Sequence, residues 1–106
     1  FTMDEALSVL GVCTTNLCFI GHTHIPAVMG EDQSMNTFRT GCRYLINVGS
    51  VGQPRDGNPM AAFGLLDTAA WSYDSVRIEY DVQKTAEAIK EAGLPLVLAR
   101  RLFVGY

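Results

Sequence analysis

Leu17, Cys18, Phe19 and Ile20 form an unbroken apolar run that stops at Gly21, and His22 and His24, the only two histidines of the chain, follow within four residues. A contiguous apolar run this short reads as a buried strand, here from Asn16 to Gly21. A strand apolar on both faces requires cover on both faces, which is the signature of a layered α/β arrangement. Gly21 lets the chain turn and Pro26 stops the ladder from continuing, so the histidines fall at the strand's end. In extended backbone, residues i and i+2 project to one side, and two imidazoles so placed converge on a small volume. Neutral imidazole is a common ligand of zinc, manganese, iron and nickel. The plainer alternative is a pair of hydrogen-bonded surface histidines, and the spacing alone leaves both open.

The rest of the chain reads as strands followed by helices. Thr2 and Glu5 have the spacing of a capping box, so a helix is expected from about Met3 to Leu10, with Gly11 as its left-handed cap. Ala27 to Met29 suggests a short strand running into a polar loop from Glu31 to Asn36, and Thr37 to Val48 holds one or two more strands. Six glycine, proline and asparagine residues between Gly49 and Pro59 mark a long loop of the kind that carries function. Met60–Asp67 and Ser75–Tyr80 are expected strands, the second with Val76, Ile78 and Tyr80 inward and Arg77 and Glu79 in water. Asp81 caps a helix to about Ala92 that Gly93 ends, and Pro95 opens a last one through Phe103. Trp71, Tyr73 and Tyr80 read as packing or turn aromatics, and Arg100 and Arg101 as a solvated helix face.

Composition narrows the function. The 106 residues are 48% hydrophobic and 18% charged with a formal net charge of −3. That balance supplies no field for nucleic-acid binding through bulk charge. The apolar runs are far shorter than the roughly 20 residues of a membrane-spanning helix. Cys13, Cys18 and Cys42 are odd in number and form no Cys-x-x-Cys pair, so free, buried thiols and a cytoplasmic setting are expected. Cys18 with the two histidines gives C-x3-H-x-H, which matches no common finger pattern and argues against a self-contained structural zinc site.

Two stretches resemble a known family. Phe19-Ile20-Gly21-His22-Thr23-His24-Ile25-Pro26, followed by Ile46-Asn47-Val48-Gly49-Ser50-Val51-Gly52-Gln53-Pro54-Arg55-Asp56-Gly57, is similar to the C-terminal part of calcineurin-like metallophosphoesterases of the small bacterial and archaeal type. The resemblance implies an α/β fold, the C-terminal part of a four-layer α/β/β/α sandwich. It also implies two divalent metal ions (Mn, Fe, Zn or Ni), with His22 on one and His24 on the other, which lower the pKa of a shared water that attacks a phosphate ester. The substrates so implied are phosphomonoesters, phosphodiesters or nucleotide-type anhydrides.

Arg55 is a candidate contact for the substrate phosphate, or else pairs with Asp56 or another carboxylate to pin the loop. Asn47 and Ser50 are candidates to orient the histidine turn, or else simple turn formers.

The departures from the family pattern are equally specific. Its D-x-H, G-D-x-x and G-N-H-[DE] blocks and a further histidine precede G-H-x-H, and none is present here. Two imidazoles cannot hold two ions, so the chain alone is expected to be inactive, with the missing N-terminal half of the same protein as its partner. Residues 1–106 then read as the C-terminal portion of one domain of roughly 200 residues or more. Phe1 as first residue fits a cut chain, and the strand at Leu17–Ile20 would find its partners and cover in the other half. The alternative is a non-catalytic metal-binding or scaffolding module of the same fold.

Overall fold

The structure is a computed structural model that describes all of residues 1–106. Its elements run in the order α1 (Met3–Val12), β1 (Leu17–Ile20), β2 (Ala27–Gly30), β3 (Tyr44–Asn47), β4 (Ala61–Asp67), β5 (Ser72–Ile78), α2 (Val82–Glu91) and α3 (Leu96–Val104). The capping box is formed at Thr2: its N–H donates to Glu5 Oε2 at 2.6 Å, and the Glu5 N–H donates to Thr2 Oγ1 at 3.2 Å. Gly11 is not the cap. The helix continues through it to Val12 and is closed by Cys13 in extended backbone, whose N–H donates to the carbonyls of Val9 and Leu10.

β1, β3 and β2 form one sheet in that order, with β1 parallel and β2 antiparallel to the central β3. The expected partner of β1 is thus in this chain, and only one strand, β3, forms between Thr37 and Val48. All four residues of β3 are buried. On one face Ala6 and Leu10 of α1 pack with Met29 and Leu45, against Cys18 and Ile20. On the other, Val28, Cys42, Tyr44 and Ile46 pack with Leu17, Phe38 and Tyr73.

β1 departs from the expected full burial. It lies at the sheet's edge, and Phe19 is 47% exposed, with Tyr73 as its nearest ring at a centroid distance of 6.3 Å. Of the three thiols, all free, only Cys42 is buried; Cys13 and Cys18 are partly exposed.

β4 and β5 form a separate antiparallel hairpin in register from Ala61↔Ile78 to Asp67↔Ser72. β5 therefore starts three residues earlier than the alternation predicts, because Asp67 Oδ1 accepts from the N–H groups of Ala69 and Ala70 and closes a short turn. The facing of its end is also reversed. Arg77 is turned inward onto the Gly49–Pro59 loop, whereas Ile78 is 48% exposed. Phe38 links the two sheets, lying 4.9 Å from Tyr44, 5.7 Å from Trp71 and 6.1 Å from Tyr73 between ring centroids.

Asp81 caps α2 through the Lys84 N–H at 3.0 Å, and Gly93 ends it at φ +72°. α3 starts after Pro95 and closes on Gly105 at φ +70°. The five strands are divided between two sheets.

Candidate metal centre

Parallel pairing decides where the histidines sit. The register places Ile20, the last residue of β1, beside Asn47, the last residue of β3. The Gly21–Pro26 turn and the loop after Val48 therefore leave the sheet at the same end, the carboxyl end, where open α/β sheets bind their ligands.

The turn is not extended as the i, i+2 argument assumes. His22 has φ +74° and His24 φ +61°, both in the left-handed region. For residues with a Cβ this costs about 1–2 kcal/mol each and persists only where surrounding bonds enforce it. Those bonds come from Asn47, which is 2% exposed. Its Nδ2 donates to the Gly21 carbonyl at 3.0 Å and to Thr23 Oγ1 at 2.8 Å, and its Oδ1 accepts from the Gly49 N–H at 3.0 Å. Thr23 Oγ1 also accepts from the Ile25 N–H at 3.3 Å. One buried amide thus joins the histidine turn to the start of the loop.

The loop in turn holds His24. Its Nδ1 lies 2.8 Å from the Gln53 carbonyl oxygen, and the Arg55 N–H donates to the His24 carbonyl at 3.2 Å. A carbonyl can only accept, so Nδ1 is the donor, which in the neutral ring leaves the lone pair on Nε2. That is how a ligating histidine is usually oriented. His24 is half-buried and His22 exposed.

Ser50 does not touch the turn. Its Oγ accepts from the Gln53 N–H at 2.9 Å and its carbonyl from the Ala62 N–H at 2.9 Å, so it shapes the loop that delivers Gln53. Gly49, at φ +81°, packs so closely that a Cβ there would lie 2.9 Å from that of Ala62 and 3.3 Å from the Pro26 ring.

Arg55 pairs with no carboxylate. Its exposed guanidinium donates to Gln53 Oε1 at 3.0 Å. The Asp56 carboxylate is taken instead by Arg77, whose hydrogen bonds hold the Asp56 carboxyl below its ordinary pKa against the opposing effect of burial. The loop pin that the sequence suggests at Arg55 is thus made by Arg77.

Thr23, the Gln53 carbonyl and Arg77 are the parts of the site that sequence reasoning missed. Gln53 acts through a backbone oxygen that any residue could present, and Arg77 lies in a strand whose alternation points it outward. Two imidazoles suit a borderline divalent ion as donors, and they are only part of a ligand set. No group of three or more His, Cys, Asp or Glu side chains in the chain is placed to hold a metal.

Comparison with known proteins places this arrangement. The chain superposes on the crystal structure of a metallophosphoesterase from Sphaerobacter thermophilus with a TM-score of 0.88 and 36% identity, over 98% of this chain and 47% of that one. The chain has the metallophosphoesterase fold. A crystal structure of a hypothetical protein from Pyrococcus horikoshii shares the metallophosphoesterase-like fold with a TM-score of 0.72 at 18% identity, over 100% of this chain and 39% of that one.

An uncharacterized protein of Methanocaldococcus jannaschii is 41% identical over 96 residues, which are 85% of this chain and 40% of that protein. The chain therefore spans less than half the length of each of these relatives. No family model matches it. No helix is long and apolar enough to cross a membrane.

Proposed function

We propose that this chain is the C-terminal portion of a metal-dependent phosphoesterase domain, and that His22 and His24 each give an imidazole to one of two divalent ions. The observation that carries the reading is the strained turn itself. Two left-handed histidines flanking Thr23 at the carboxyl end of β1 and β3, braced by a 2% exposed asparagine, are an arrangement with a conformational cost that the surrounding hydrogen bonds must offset.

The divalent ions, when bound, supply Lewis-acid stabilisation of phosphoryl charge and a water of lowered pKa. This chain's own part is orientation. Gln53 sets the His24 tautomer, Asn47 holds the turn, and Arg55 offers a guanidinium free of carboxylate partners to a substrate phosphate. The remaining ligands, a bridging carboxylate among them, belong to the N-terminal half.

The test compares the full-length protein with this chain alone, by metal content and by turnover of an aryl phosphate with manganese. The full-length protein is expected to bind two ions per molecule and to hydrolyse the ester, and His24→Ala to abolish turnover. The isolated chain is expected to do neither. Full-length protein that binds metal without hydrolysing any phosphate ester would favour a scaffolding or metal-binding module instead, and turnover that survives His24→Ala would sink the assignment.

A further inference from the structure

The loop that grips His24 is itself gripped from behind by a residue outside both motifs. Arg77, at the end of β5, has a side chain only 18% exposed. Its Nη1 and Nη2 fork onto the two oxygens of the Asp56 carboxylate. Nη2 also donates to the carbonyls of Asn58 at 2.9 Å and Met60 at 2.8 Å. A second anchor lies beside it: the Gly57 N–H donates to the Gly105 carbonyl at 2.9 Å. There the backbones approach so closely that a Cβ on Gly105 would lie 2.5 Å from the Asn58 carbonyl carbon.

The sequence distance between the two grips is one peptide bond. Arg55 gives its N–H to the His24 carbonyl, and the next residue, Asp56, is the one that Arg77 holds. A loop of this length left free would have to be ordered each time His24 is oriented, at about 1–2 kcal/mol of entropy per residue. A planar guanidinium with several fixed acceptors orders it in advance, and an ammonium cannot reproduce that fork.

We propose that Arg77 is a positioning residue for His24: by fixing Asp56, Asn58 and Met60 it holds the Gln53–Arg55 segment against the imidazole and so pre-orients it for metal. The metal half of this proposal rests on the reading of His24 as a ligand.

The experiment uses the full-length protein with Arg77→Met and Arg77→Lys, read by residue-resolved hydrogen exchange without metal and by calorimetric titration with manganese. In Arg77→Met the Arg55 and Gly57 amides are expected to exchange about 10-fold faster or more while those of β3 stay protected, since the opening is local. Manganese affinity is expected to fall about 10- to 100-fold, the usual effect of removing a group that orients a ligand. Arg77→Lys is expected to recover only part of either.

Should Arg77→Met not fold, Asp56→Asn, which removes the other half of the pair, is read in the same way. Arg55 exchange equal to wild type in a folded variant overturns the clamp. Wild-type protein that takes up no manganese overturns the ligand reading of His24, while the exchange rates still decide whether Arg77 holds the loop.

Discussion

Asn47 ties the histidine turn to the loop through a single side chain. Its amide donates twice into the histidine turn and accepts once from the loop. Removing it leaves the Gly49 N–H without a partner, a loss of about 1–3 kcal/mol, while the Gly21 carbonyl keeps the Thr23 N–H at 3.0 Å. Asn47→Ala is therefore expected to destabilise the full-length protein by about 1–3 kcal/mol, measured as a fall in the urea midpoint with an unchanged slope. A loss near zero would mean that the turn holds itself.

The same residue shows what the sequence discloses at this scale. The motif makes Asn47 a candidate to orient the histidine turn, and its side chain is hydrogen-bonded to that turn. The left-handed backbone at His22 and His24 carried no signal, because neither is a glycine. It follows from hydrogen bonds made 24 and 26 residues away in sequence, which no local pattern encodes.

Among the elements, those whose ends are fixed by their own side chains were legible and the others were not. The Thr2 and Asp81 caps fall where the residue types place them, because a cap is an interaction over three residues. The start of β5 was misplaced because Asp67 closes its turn early, and the facing of Arg77 was inverted because its acceptors lie in a different loop.

The Gly30–Tyr44 connection, too, is organised by one carboxylate. Asp32 accepts from the Ser34 hydroxyl and N–H and pairs with Arg39. The Ser34 hydroxyl first, then its N–H, with a smaller effect of Arg39, bring the Asp32 carboxyl from 3.8 down to about 2. A carboxyl depressed by folding contributes stability that is fully present above its unfolded value and lost as pH falls through the folded one. Stability of the wild type is thus expected to decline between pH 3.8 and about 2 through this group, and Asp32→Asn to remove that part of the slope. Acid titrations of the two proteins that run parallel through this window would show that the cluster does not persist in solution.

At the scale of the whole molecule, the surface is larger than the chain's size calls for. A monomer of 11.6 kDa is expected to expose about 5,800 Å², and this chain exposes 6518 Å². Its radius of gyration is 16.0 Å where about 13 Å is usual for this length. The excess of roughly 700 Å² is close to the ~800 Å² that one partner contributes to a standard interface.

Much of what is exposed is apolar. Phe19 on the open edge of β1, Ile25 beside the histidine turn, and Leu96, Val97, Phe103 and Val104 along α3 are each between 46% and 59% exposed. Apolar area of that extent is not left in water by a stable monomer. On the reading of this chain as one part of a larger domain, that surface is where the other part seats. The chain alone is therefore expected to bind a hydrophobic dye and to self-associate with rising concentration. Co-expression with the N-terminal half is expected to abolish both and to yield a 1:1 complex. A monodisperse, dye-silent chain that unfolds cooperatively alone would refute this, because a covered core would then exist without a partner. Dye binding that persists in the complex would leave the exposed face of α3 for a different occupant, since the β1 edge and the histidine turn would already be covered.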